Sequence, residues 1–537
     1  MGVHVILDID PNQIEPGAWA AVYDETLDLL RAWRPRLLGW GSRTIDGCRV
    51  QMYTRSIEFG RDANKVHWTV VGDQKTLTTS ESQSMYRDIA HYGKASERRP
   101  NDVDILVQAA DPKNDDTSGP ACVFGNKTQG HPYHFAMLAA AMLVEERFPR
   151  AAMVWGDIDK GQAERAGRMA KRFLGRELRL PVRVDAPRLI ERLRSHYDDD
   201  ALPDAFARVF QDEPGLGEEA VLRAFPGRSG ARQWVRSLIG YKSPTVLGVM
   251  RSLIAWLNAD RDVAEACQVA CFSSEGPRFE PQAFVKALVA TWVSVDPSVR
   301  RPVEAFRKPS EEAPSIAYLM GSFFLDMEAM GRNTRVHISK QHMAEILKNV
   351  FGESGPALAK LFVEETDNLE ATLRPSSENV SALLRDAEEH GYDATEYLVT
   401  LKSVSVMGEA QRTWVHAIAY SVEQMLEQMR AELPDMVSNP AQMKKALVRV
   451  LSDRGPVLTE KTWDKLAEVN EPDVLAWLLA LIGIPANNQH AYDVKRALLE
   501  NAGLRQYAMR LDPEDMQKIK KMLDEAAHEK DQCPRSM

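Results

Sequence analysis

Cysteine is scarce in this chain of 537 residues: Cys48, Cys122, Cys267, Cys271 and Cys533 are odd in number and scattered. That excludes a disulfide framework and points to a reducing compartment. Long apolar runs are lacking too. The longest, residues 135–144 and 474–484, fall short of the ~20 residues a membrane span needs, so they predict buried helices. The first residues reach an acid, Asp8, before any apolar run of signal-peptide length, and no basic segment precedes it. No export is expected, and the default location is the cytoplasm. With 44% hydrophobic and 27% charged residues, the composition is that of a soluble globular protein and excludes a disordered or fibrous one. The length corresponds to roughly three or four domains.

Acids are missing from one long stretch. Residues 220–259 carry six Lys or Arg and no Asp or Glu, and residues 160–195 carry eleven against four. Those local excesses of +7 and +6 sit in a chain of net charge −10, which leaves −23 elsewhere. A generally acidic molecule thus segregates its positive charge, and segregated charge attracts anions. Between the two stretches, residues 196–219 hold eight acids against one arginine. That acidic linker could fold back and neutralise the basic surface.

The hydrophobic periodicity gives an α/β plus α chain: an N-terminal mixed α/β domain over residues 1–200, a helical domain with the basic segment over 201–310, and a helical bundle or irregular helical array over 311–537. Period-two segments at 4–9, 49–59, 66–71, 103–108, 121–124, 151–155 and 180–184 predict strands. Helical patterns at 18–33, 134–147, 162–174 and 188–196 alternate with them, which argues for a parallel or mixed sheet covered by helices. Beyond residue 200 nearly every segment has helical periodicity. Trp414, Ile418, Val422, Met425 and Met429 make one apolar helix face of the kind that packs in a core.

Three groups of residues bear on chemistry. Residues 122–134 run from a predicted strand through a polar turn into an apolar helix. There Gly125 and Gly130 have the separation of a phosphate-binding loop, with Lys127 and Thr128 between them, but His131-Pro132 replaces the Lys-Ser/Thr that such a loop requires. His131 and His134 are three apart, and Asp157 and Asp159 follow a neighbouring predicted strand; imidazoles with carboxylates suit zinc or non-haem iron. The alternative is ordinary turn and helix-capping chemistry. Asp8 and Asp10 end the first strand as Asp-x-Asp, which resembles the nucleophile and acid of haloacid-dehalogenase-type phosphatases. Position 12 is Asn where that family prefers Thr or Val, and no matching lysine or later acidic motif follows.

The third group is basic. Arg165, Arg168 and Arg172, three and four apart, form a stripe on a predicted helix, while Arg228, Arg232, Arg236 and Lys242 are interleaved with Trp234 and Tyr241. Guanidinium groups with aromatics are the chemistry that holds single-stranded nucleic acid. The expectation is a non-catalytic intracellular interaction or regulatory protein that docks an acidic protein or other polyanion through this basic surface. The alternatives are an α/β enzyme or metal or phosphate-ligand site around Gly125–His134 with Asp157 and Asp159, and sequence-tolerant nucleic-acid binding.

Overall fold

The computed structural model describes residues 3–77, 79–95, 103–111, 120–211, 217–300, 334–390, 395–486, 489–512, 514 and 517–521. Its strands are β1 (Val5–Ile9), β2 (Leu37–Ile45), β3 (Cys48–Thr54), β4 (Glu58–Phe59), β5 (His67–Asp73), β6 (Thr79–Tyr86), β7 (Ala121–Phe124), β8 (Ala152–Gly156) and β9 (Leu458–Thr459). The mixed α/β region followed by helices is therefore present. Beyond residue 210 the described residues hold only the two-residue β9 as strand.

The chain divides into two compact units, each assembled from two stretches: residues 1–30 with 85–388, and residues 31–84 with 389–537. The division expected at 200 and 310 follows composition along the chain, whereas these units are defined in space.

In the first unit β1 lies at the centre of a three-stranded sheet, order β7-β1-β8, antiparallel to both neighbours, with Asp8 opposite Cys122 on one side and Met153 on the other. One face carries helix α3 (His134–Arg147), whose residues from His134 to Glu145 are all buried. Because α3 is apolar on every side, it needs a second cover. That cover is α4 (Lys160–Leu174), which presents Ala163, Ala166, Gly167 and Ala170 inward. Asp159 caps α4 by accepting the Gln162 N–H, and Gly175 ends it at a left-handed φ of 68°. Gly156 closes β8 at φ 117°, where a Cβ would meet the His4 carbonyl at 2.7 Å, so only glycine fits beside β1.

Two expected strands are something else. The segment expected at 103–108 is α2 (Ile105–Ala110), because Asp104 accepts the Leu106 N–H and starts a helix. The segment expected at 180–184 is a 3-10 turn, Val182–Val184. The covering helices also meet a sheet whose pairings are all antiparallel in this unit. The chain continues through α5 (Ala186–Arg194), α6 (Leu202–Val209), α7 (Gly217–Ala224), α8 (Arg228–Leu238) and α9 (Leu247–Asn258). Leu189, Leu193, Leu202 and Phe206 pack with Ile105, Leu106 and Met153, so α2, α5 and α6 cover the second face of the sheet.

The second unit joins an early sheet to late helices. The sheet runs β4-β5-β2-β3-β9, with β6 also on β5; β3 and β9 pair in parallel. Val50 and Met52 of β3 share a core with Val415, Ile418 and Val422 of helix Glu409–Glu432 and with Leu475 and Trp477 of helix Pro472–Gly483. Trp414, Met425 and Met429 pack against the same core. No described helix is long and apolar enough to cross a membrane.

Candidate docking surface and neighbouring polar sites

The turn from Gly125 to His134 is closed on itself. The N–H groups of Thr128 and Gln129 both donate to the Val3 carbonyl (2.7 and 3.2 Å), His131 donates to Thr128 (3.1 Å), and Lys127 bridges His4 by its backbone. The Gly125 carbonyl bonds His4 Nδ1 at 3.0 Å. The N–H groups of Thr128, Gln129 and His131 are therefore spent within the protein rather than offered to an anion. His134 is buried, with Nδ1 at 2.7 Å from Thr128 Oγ1 and Nε2 at 3.0 Å from Gln162 Oε1. Burial holds its imidazole down at about 4, against a smaller opposing effect of the Gln162 bond and the Asp157 charge. Asp157 accepts the His4 N–H at 2.9 Å and Asp159 caps α4, while the His131 ring stacks on Tyr133. Among the described residues no three His, Cys, Asp or Glu side chains are grouped to hold one metal ion.

On the other face of the sheet, Asp8 accepts Trp155 Nε1 at 2.6 Å. Burial pushes its carboxyl up to about 6, opposed by the bonds to Trp155 and Cys122 and by the Arg183 charge. Arg183 is itself buried, donates Nε to the Val209 carbonyl at 2.6 Å, and is lowered to about 10 by desolvation. The Cys122 thiol is raised to about 12 by desolvation and the Asp8 charge, which leaves it protonated and a poor nucleophile. Asp10 accepts Asn12 N and Gln13 Nε2, so it caps a turn.

The arginines of α4 point away from its alanine face. Arg165 lies over the Phe135 ring at 4.4 Å, Arg168 is 3.9 Å from Glu164, and Arg172 is exposed. On α5 the next cations face a cavity of about 480 Å³ lined by Asp104, Arg150, Arg188, Glu191, Arg192 and His196 among others. Arg192 forks onto Asp104 through Nε and Nη2 at 2.6 and 2.5 Å. Below them Glu145 accepts the N–H groups of Val154 (2.9 Å) and Val182 (2.7 Å), and burial raises its carboxyl.

The second basic stretch forms α8 and α9. Ala231, Trp234 and Leu238, spaced three and four, pack on Val249, Leu253 and Trp256, and the two indoles lie 4.3 Å apart. Trp234 is fully buried and donates Nε1 to the Ser252 carbonyl at 2.9 Å, so it is a core residue and offers no surface for a base. The acidic linker does fold back: Arg232 is 3.7 Å from Asp200, Arg236 is 2.8 Å from Asp204, and Glu218 lies inside on Ser237 and Ser252. The side chain of Arg228 lies outside the described residues. What remains on this face is an apolar connection. Ile239, Tyr241, Val246 and Leu247 are 54, 41, 38 and 37% exposed. Tyr241 lies against Gly248, where a Cβ would meet its hydroxyl at 2.2 Å. Lys242 and Arg251 flank these residues, exposed and without an ion pair among the described residues.

No family model, curated protein or solved structure matches the chain.

Sequence reasoning thus placed Tyr241 and Lys242 on the surface and missed their apolar companions. Their signal was available: Ile239, Val246 and Leu247 break the three-four spacing that buries Trp234 and Leu238. It missed the α5 cavity too, although Arg188, Arg192 and His196 recur every fourth residue.

Proposed function

We propose that the protein is a non-catalytic docking protein that binds an acidic partner protein through the α8–α9 connection. One observation carries this: four large apolar side chains, Ile239, Tyr241, Val246 and Leu247, are exposed in one short connection whose surrounding sequence, residues 220–259, contains cations and no acid. Clustered exposed apolar side chains favour association with protein, because covering them removes apolar area from water. The exposed cations Lys242 and Arg251 beside these apolar residues select the sign of the partner, since like charge against them is repelled. The pairs Arg232–Asp200 and Arg236–Asp204 leave the arginines 58 and 50% exposed, so an incoming carboxylate competes with weak, solvated contacts.

A labelled peptide alternating Glu with Leu and Phe tests the reading by fluorescence anisotropy, beside an all-Glu peptide and single-stranded DNA of similar charge. The mixed peptide is expected to bind wild-type protein more tightly than the all-Glu peptide and to lose affinity in the Ile239→Ser/Leu247→Ser variant. Tighter binding of DNA would transfer the surface to nucleic acid. Equal affinity for the two peptides would remove the apolar connection from the account.

A further inference from the structure

We propose that the α5 cavity is a binding site for a small phosphate monoester, independent of the α8–α9 surface. Helical geometry places Arg188 and Arg192 on one side of α5, and His196 follows at the same interval just past its end. Arg150 enters from the turn before β8, and all four line a cavity of about 480 Å³. Concave sites for small molecules span ~300–1,000 Å³. The pocket opens widely to solvent, so it has room beside the anion for a sugar-sized group.

The charges facing the cavity have distinct tasks. Asp104 is closed: its carboxylate takes the Arg192 fork at 2.6 and 2.5 Å and the Leu106 N–H at 2.8 Å. It thereby fixes the guanidinium plane, with Arg192 Nη1 left over for a ligand. Glu145, below, spends its oxygens on the N–H groups of Val154 and Val182. Arg188 donates Nη1 to the Leu180 carbonyl at 2.5 Å and stands 3.7 Å from Asp185, which leaves Nε and Nη2. Ser195 Oγ donates to the Arg192 carbonyl at 2.9 Å, so His196 donates Nδ1–H to that hydroxyl at 2.7 Å, and its Nε2 becomes a donor only in the charged imidazolium. Glu191 is the remaining acid at the rim.

A carboxylate is planar and is satisfied by a single guanidinium fork. Donors arriving from two separate elements match the tetrahedral oxygens and double charge of a phosphate monoester. The donors also sit on a rigid frame, since α5 is anchored by Leu189 and Leu193 in the core.

Isothermal titration of the full chain with ribose 5-phosphate, inorganic phosphate and citrate tests the proposal. Ribose 5-phosphate is expected to bind saturably and more tightly than inorganic phosphate, with Arg150→Gln and Arg188→Gln each weakening it about tenfold or more. The control Arg172→Gln, on α4, is expected to leave affinity unchanged. His196→Glu introduces repulsion at an exposed position and keeps the test available if an arginine variant fails to fold. Absence of saturable binding to both phosphate probes would overturn the proposal, as would binding of citrate alone. Equal weakening by Arg172→Gln would show diffuse attraction rather than a site, and would also overturn it.

Discussion

Replacing Asp8 by Asn should stabilise the protein above about pH 6 and have little effect near pH 4. Asp8 is 9% exposed, and burial moves its carboxyl from an ordinary 3.8 to about 6. Since the folded state holds its proton more tightly than the unfolded chain does, the folded state is favoured below about pH 4 and loses that advantage as pH rises through about 6. Above that, the charged carboxylate destabilises the fold by on the order of 2–3 kcal/mol, at 1.36 kcal/mol per pKa unit. Asparagine keeps an oxygen to accept Trp155 Nε1 and removes the charge. The expected difference between variant and wild type is near zero at pH 4. It reaches roughly 4–6 °C in Tm at pH 8, taking ~2 °C per kcal/mol for a unit of this size. His134 titrates in the opposite sense: its lowered value of about 4 means stability is lost as pH falls below the ordinary ~6.5 toward 4. That contribution is common to both proteins and cancels in the difference. Thermal melts at pH 4, 6 and 8 decide it. An offset independent of pH, or a variant less stable at pH 8, would refute the buried-carboxylate argument.

Trp234→Ala should lower stability by ~3–5 kcal/mol in urea unfolding, because it empties a site packed on Trp256; an unchanged midpoint would place the indole outside the core. Glu145→Ala strands the Val154 and Val182 N–H groups, at ~1–3 kcal/mol each, and Glu145→Gln should recover part of the loss in the same melts. Arg168→Glu with Arg172→Glu should change stability by no more than ~1 kcal/mol, since both side chains are exposed. The same double variant should elute earlier from heparin at low salt, and unchanged elution would take α4 out of the basic surface.

Much of the fold was legible where one face of an element is buried. The period of β1 and of α4, and the unbroken apolar run of α3, locate those elements within a few residues. The apolar face at Ile418 and Val422 identifies core. The misread segments have different causes: in residues 103–108 the short apolar run Ile105–Val107 is started as a helix by Asp104, whereas Leu180, Val182 and Val184 alternate as a strand would, yet the chain closes there into a 3-10 turn after Pro181. The joining of β3 to helices more than three hundred residues later rests on packing of Val50 and Met52, which leaves no local mark. At the candidate site, charge counting found the basic stretches and the acidic linker. It could not tell Trp234 from Tyr241, since one indole faces Trp256 and the phenol faces Gly248. Nor could it show that His134 and Asp159 are spent on Thr128, Gln162 and the α4 cap.

Hydrogen–deuterium exchange of the full chain, with and without the alternating Glu/Leu/Phe peptide, tests the docking surface most directly. The account predicts slowed exchange at the amides of the α8–α9 connection, residues 239–248, with α4 unchanged. Protection confined to α4, or none at the connection under saturating peptide, would contradict it.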